Sequence, residues 1–330
     1  MSGKSKVVLT DYVWDNLDQE NEILGEICEI IAMQTKSPAE FIEEASDCEA
    51  LLNTYAGPIT REHMEKMSSC KIIARYGIGV DTIDLDAATD CGIIVTNNPT
   101  YCIEEVAEHT MALLLTAARK VSFYDRSVRS GKWEVPPGKP IFRLSGSTLG
   151  LIGFGNIARM VAERAVSFGM KIIFSDPFVE DGQFEIPARK VELEELYKNS
   201  DYISVHPPLM DETRGMVNDS AFDLMKPSVY LVNCSRGPII DTDALVKALD
   251  NRKIAGCALD TTDPEPLPDS HALRGRENVI INPHAAWYSE ESMVGLQKGA
   301  PNEVKRVLSG EWPVNLVNKK VKESNRAGLS

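Results

Sequence analysis

No stretch of this 330-residue chain stays apolar over the roughly 20 residues that a membrane-spanning helix needs. Nor does a signal-peptide pattern open it, since MSGKSKVVLT runs straight into a strand-like segment. Positive charge is in deficit: 35 Lys and Arg stand against 49 Asp and Glu, a net charge of −14. Nothing concentrates cations for a phosphate backbone, and the short run Lys319-Lys320-Val321-Lys322 reads as a solvated end. Nucleic acid and membrane are therefore excluded as partners, and a cytoplasmic protein is expected. The seven cysteines (Cys28, Cys48, Cys70, Cys91, Cys102, Cys234, Cys257) show no CxxC and no Cys/His spacing. That argues against a metal site or a disulfide framework and for buried free thiols in a reducing compartment. No repeat appears at a short period.

What is present is enough apolar residue, 43%, to bury sizeable cores, and a length that suggests two domains. Strand-like runs at residues 6–9, 27–32, 50–52, 71–74 and 93–95 alternate with helical segments, one starting at Ser37-Pro38, one at Thr60 and a short one at Asp84. Such alternation predicts an α/β fold with parallel sheets covered by helices. Asn97-Asn98-Pro99-Thr100 punctuates the chain, and a long apolar helix is expected over 103–119. Residues 122–147, with Gly131, Pro136, Pro137, Gly138 and Pro140, read as a long irregular excursion, of the kind used as an arm against a second subunit.

The most informative stretch is 148–176, TLGLIGFGNIARMVAERAVSFGMKIIFSD. It reads as strand, glycine turn, helix, strand, acid. Gly153 can take a backbone conformation closed to other residues, and Gly155 lets a pyrophosphate approach the free N–H groups at the helix start, Asn156 and Ile157. Ile157, Ala158, Val161, Ala162, Ala165 and Phe168 form the expected buried face, and Gly169 is placed to end the helix. Asp176, 21 residues after Gly155, falls where a dinucleotide fold puts the acid that binds the adenosine ribose hydroxyls, which favours NAD over NADP.

Downstream strands are expected at 201–206, 229–233, 255–259 and 279–282, and helices at 191–198, 241–249 and 290–309. In a parallel sheet every strand's C-terminal end opens on one edge. That rule gathers Arg236, Asp260 with Glu265, and His284 beside the cofactor, while His206-Pro207 and Cys234, which also follow strands, are candidate cofactor contacts. Each alone has a bland reading as a loop or turn residue. Together they are the parts of a hydride-transfer site. A histidine can be the acid in reduction and the base in oxidation. The carboxylate of Glu265 would orient its ring and favour the imidazolium. The fork of Arg236 can hold a substrate carboxylate and polarise a keto oxygen. Tyr76-Gly77-Ile78-Gly79 can offer backbone N–H groups to the same carboxylate.

The chain resembles the D-isomer-specific 2-hydroxyacid dehydrogenases over nearly its whole length. The resemblance rests on RYGIGVDTID (75–84), EEVAEHTMALLL (104–115), LGLIGFGNIAR (149–159), VHPPLMDETRGMVN (205–218), LVNCSRGPIIDTDAL (231–245), CALDTTDPEP (257–266) and NPHAAWYSEES (282–292). That family includes phosphoglycerate dehydrogenases, glyoxylate/hydroxypyruvate reductases, D-lactate dehydrogenases and NAD-sensing corepressors. It implies a Rossmann NAD-binding domain, 100–289, inserted in a flavodoxin-like substrate domain, 1–99 and 290–330, with the site in the cleft between them. It implies the triad Arg236, Glu265 and His284, a small 2-keto or 2-hydroxy acid of the hydroxypyruvate/glyoxylate type or the 3-phosphoglycerate type as substrate, and a homodimer formed through the coenzyme domain; the alternative is an NAD-sensing scaffold like the corepressors. Pro238, Thr261-Thr262 and Ala158 depart from common family residues but remove no catalytic group. HAAWYSEE resembles the corepressor branch, which makes Trp287 a candidate substrate contact; His109 and His206 read as structural.

Overall fold

The computed structural model describes residues 3–330, and the chain separates into two compact units. One contains the residues up to Cys102 together with Ser289–Ser330, and the other is Ile103–Tyr288. The first unit begins β1 (Ser5–Leu9), α1 (Asp18–Leu24), β2 (Cys28–Ala32), α2 (Pro38–Phe41), β3 (Ala50–Asn53), α3 (Arg61–Lys66), β4 (Ile72–Arg75), α4 (Leu85–Asp90), β5 (Ile94–Thr96). Its strands are all parallel, in the order β2-β1-β3-β4-β5, which is the flavodoxin-like order. The central strands are unbroken apolar runs such as Ala50-Leu51-Leu52 because helices cover both faces of the sheet. Helix α4 starts where Asp84 accepts the Ala87 N–H, and α3 where Thr60 and His63 form a reciprocal cap.

The second unit opens with α5 (Ile103–Arg119) and α6 (Val121–Arg129), then β6 (Thr148–Ile152), α7 (Asn156–Ser167), β7 (Lys171–Ser175), β8 (Ala188–Lys190), α8 (Leu193–Asn199), β9 (Tyr202–Val205), α9 (Asp219–Leu224), β10 (Tyr230–Asn233), α10 (Thr242–Asp250), β11 (Gly256–Leu259) and β12 (Val279–Ile281). Its parallel sheet runs β12-β11-β10-β9-β6-β7-β8. The order reverses between β6 and β9, and ligands of such sheets bind at the strand ends beside that reversal. One apolar layer packs Leu196, Phe222 and Leu245 under the sheet. The opposite layer packs Met111 and Leu114 of α5 and Ala158 and Val161 of α7 against Leu149 and Leu151. The chain then returns to the first unit through α11 (Glu290–Leu308), where Ser289 and Ser292 cap each other.

Three readings need correction. The segment 122–147 is not irregular throughout: α6 occupies its start and a single 3-10 turn, Pro136–Gly138, lies within it. Phe168 is 45% exposed, because α7 ends at Ser167 and the residue sits beyond the helix face. Helices α1, α6 and α9 and strand β8 are additions to the expected set. All seven cysteines are free, and among the described residues no helix is long and apolar enough to cross a membrane and no acid, His or Cys group of three could hold a metal.

Candidate active site

The turn after β6 is built for close approach. Gly153 has φ +79°, a backbone conformation that favours glycine, and a Cβ there would lie 3.1 Å from the Pro207 nitrogen, a tight contact. Gly155 is the N-cap of α7, and nothing lies within 4 Å of where its Cβ would be. The helix therefore opens through Asn156 and Ile157 onto free space. The turn is pinned at Phe154. Its N–H donates to Asp176 Oδ2 at 2.7 Å, and its carbonyl accepts from Arg159 Nη1 at 3.1 Å. Arg159 also contacts Asn156 Oδ1 and lies 4.0 Å from the centre of the Phe184 ring. Asp176, which follows β7, also accepts the Phe178 N–H at 2.8 Å. An open cradle of helix-start amides with a carboxylate behind it fits a dinucleotide: donors for the diphosphate, an acceptor for a ribose diol.

His206 and Pro207 continue β9 past the turn, the His206 N–H donating to Ile152 O at 2.9 Å. Burial pushes the His206 imidazole down to about 4, so it is neutral at physiological pH. Cys234 follows β10, and burial pushes its thiol up to about 12, which makes it an apolar wall and not a nucleophile.

The next residues form a tied loop. Asn233, fully buried, donates through Nδ2 to Arg236 O at 2.9 Å and accepts the Ser235 N–H at 2.9 Å. Ser235 Oγ donates to Pro207 O at 2.5 Å, joining this loop to the one after β9. Arg236 is half-buried, with Nη1 donating to Ser235 O at 3.0 Å. A Cβ on Gly237 would come within 2.0 Å of Thr262 O, so this glycine lets the Arg236 loop lie against the segment that leads to Glu265.

Asp260 ends β11 and is 1% exposed. Three successive backbone N–H groups converge on it. His284 donates to its carbonyl at 2.8 Å, Ala285 to Oδ1 at 2.9 Å and Ala286 to Oδ2 at 2.9 Å. These bonds hold His284 at φ +55°, a sparsely populated region for a residue with a side chain. Its Nδ1 then lies 2.6 Å from Glu265 Oε1. His109, on α5, reaches Asp260 Oδ1 from the other side at 3.5 Å.

The strand-end rule thus brings His284, Glu265 and Asp260 into direct contact, and ties the Arg236 loop to the Pro207 and Thr262 backbones. In the first unit, Tyr76 differs from expectation. Its N–H is already donated to Asn53 O at 2.9 Å and its ring is buried, with the hydroxyl donating to Glu20 Oε1 at 3.1 Å. Gly77, Ile78 and Gly79 remain. Their N–H groups have no acceptor among the described residues, while Asn98 N and Asn97 Nδ2 fix the carbonyls of Gly77 and Ile78. Trp287 is half-buried and meets Tyr288 edge-on at 5.6 Å. Sequence reasoning missed Asn233 and Arg159. An Asn at the end of an otherwise apolar strand, and a cation three residues after Asn156, were the available signals.

Residues 111–286 match the family described as D-isomer specific 2-hydroxyacid dehydrogenase, NAD binding domain. A glyoxylate reductase of Korarchaeum cryptofilum is 41% identical over 285 residues, which span 85% of this chain and 86% of that one. A D-3-phosphoglycerate dehydrogenase of Methanocaldococcus jannaschii is 38% identical over 315 residues, 95% of this chain and 59% of that one. Among solved structures, a D-lactate dehydrogenase from Aquifex aeolicus complexed with NAD and lactic acid matches with a TM-score of 0.87 at 30% identity, covering 98% of this chain and 100% of that one.

Proposed function

The chain belongs to the D-isomer specific 2-hydroxyacid dehydrogenases, NAD-dependent oxidoreductases, and from that premise we propose that it reduces small 2-keto acids of the glyoxylate and hydroxypyruvate type. The observation that carries the proposal is the 2.6 Å contact between His284 Nδ1 and Glu265 Oε1. It fixes the ring of His284, and Nε2 is the atom assigned to proton transfer. The relatives compared above are named as a reductase and dehydrogenases, so the corepressor-like alternative is not favoured.

Each residue then has a task. Gly153, Gly155, Asn156 and Ile157 take the diphosphate and Asp176 the adenosine ribose. His206, Pro207, Cys234 and Asp260 wall the nicotinamide. Bound NADH supplies a hydride to the keto carbon. Arg236 holds the substrate carboxylate and polarises the keto oxygen through its fork. Gly77, Ile78 and Gly79 carry amides without an acceptor among the described residues, which makes the first unit the candidate substrate domain, and Trp287 is a further candidate contact. His284 Nε2 protonates the oxygen as negative charge develops there and retrieves the proton in the reverse direction.

A homodimer through the second unit is part of this proposal. Val121, Val128, Trp133, Val135 and Phe142 are all exposed, Trp133 by 87%, within one segment of that unit. Apolar residues gathered in this way mark an interaction surface. The catalytic proposal is tested by following loss of NADH absorbance with glyoxylate, hydroxypyruvate, pyruvate and 3-phosphohydroxypyruvate. Turnover of the first two above the last supports it, and preference for the phosphorylated acid overturns the substrate assignment.

A further inference from the structure

Asp260 is a buried carboxylate with an incomplete set of partners. Its two oxygens accept one backbone N–H each, from Ala285 and Ala286. Among the described residues the one side chain at ion-pair distance is His109, with Nε2 at 3.5 Å from Oδ1. That separation is longer than an N–H···O hydrogen bond. The Nε2 atom is itself buried and has no hydrogen-bond acceptor among the described residues. A buried carboxylate without a counter-charge or a third donor is costly, and a buried ring nitrogen aimed at nothing else is the group that can meet the need.

We propose that His109 is a positioning residue for His284, acting through Asp260. The path is short and each link is a contact. His109 lies on α5, whose inner face covers the sheet beside β10 and β11. It presents Nε2 to Asp260 Oδ1. Asp260 gathers the N–H groups of residues 284, 285 and 286 and so fixes the left-handed backbone of His284. That backbone sets the direction of the imidazole that meets Glu265. His109 keeps both carboxylate oxygens facing the two alanine amides. Without it, rotation of the Asp260 carboxylate releases the hold on the loop, and the ring of His284 loses its aim. A displacement of about 1 Å at a proton-transfer group is enough to lower turnover by up to about 100-fold.

The kinetic part of this inference rests on the reductase reading above, so the test has one arm that depends on activity and one that does not. In the first, His109→Leu lowers kcat about tenfold or more, while the keto-acid KM and the NADH Kd stay within about twofold. His109→Gln, which keeps an N–H donor within reach of Asp260, recovers most of the loss. Equal kcat in the wild type and the Leu variant, or equal loss in Leu and Gln, overturns the proposal. In the second, hydrogen exchange of the peptide spanning 282–288 is measured on protein without cofactor. Faster exchange in His109→Leu, restored in His109→Gln, supports the path, and unchanged exchange in His109→Leu overturns it. A wild type that turns over no keto acid contradicts the reductase reading alone, and the exchange measurement still decides for or against His109.

Discussion

His284 Nδ1 and Glu265 Oε1 lie 2.6 Å apart although the residues are 19 positions apart in sequence. A loop after β11 supplies one and a loop after β12 the other, and Asp260 sets the backbone of the second. In the proposed reaction Glu265 orients the ring. Glu265→Ala is expected to lower kcat roughly 100-fold, the low end for loss of general acid–base function, with NADH affinity retained. Stopped-flow NADH binding and steady-state kinetics check both halves. A variant with full kcat would place Glu265 outside the machinery.

Asp176 does two things at once. It clamps the Phe154 and Phe178 amides and presents negative charge beside the glycine turn. That charge repels a 2′-phosphate. Asp176→Ala should weaken NADH binding about tenfold or more and NADPH binding by less, so the ratio of the two dissociation constants narrows. An equal effect on both cofactors would show that the clamp alone matters.

Trp133 and Val135 carry the largest exposures in the segment assigned to the subunit interface, 87% and 69%. Trp133→Glu combined with Val135→Glu should shift the protein from dimer to monomer in light scattering coupled to size-exclusion chromatography. A wild type that is already monomeric would remove the dimer from the account.

Glu20 is fully buried in the first unit, and its carboxyl is raised above the ordinary range, chiefly by burial. A carboxyl raised on folding contributes stability below its unfolded value, about 4.3, and loses it as pH rises through the folded value. Glu20→Gln keeps the volume and an acceptor for Tyr76 while removing the charge. Its melting temperature should match the wild type near pH 4 and exceed it near pH 8. A gap that does not change with pH would mean that Glu20 is paired well enough to stay ionised at no cost.

Both sheets were legible because their strands are buried on two faces and read as short apolar runs between turn signals, as in 50–52 and 229–233. Caps located helix starts well: Asp84 and Asp241 each accept an N–H from the first turn of the following helix. The misses have physical causes. Helix α6 buries none of its residues within this chain and begins after Lys120 in a left-handed conformation with no side-chain cap, so it lacks both a core-facing stripe and a start signal. Helix α1 begins after Leu17, also without a side-chain cap. Strand β8 is a three-residue edge strand, Ala-Arg-Lys, with no apolar run to betray it. In the site, the strand-end rule placed His284 and Glu265 together, since it depends only on topology. It gave no warning that the Tyr76 N–H would be used by Asn53, because that bond depends on how far β4 extends past Arg75.

The central claim is that His284 hands a proton to a keto oxygen while the second unit holds NADH. The most direct measurement compares wild type and His284→Ala for NADH oxidation with glyoxylate and, on the same samples, for NADH binding by fluorescence. The account predicts a loss of kcat of about 10²–10⁴-fold with the NADH dissociation constant within about twofold of the wild type. Full turnover in the variant, or lost turnover accompanied by lost NADH binding, would contradict it.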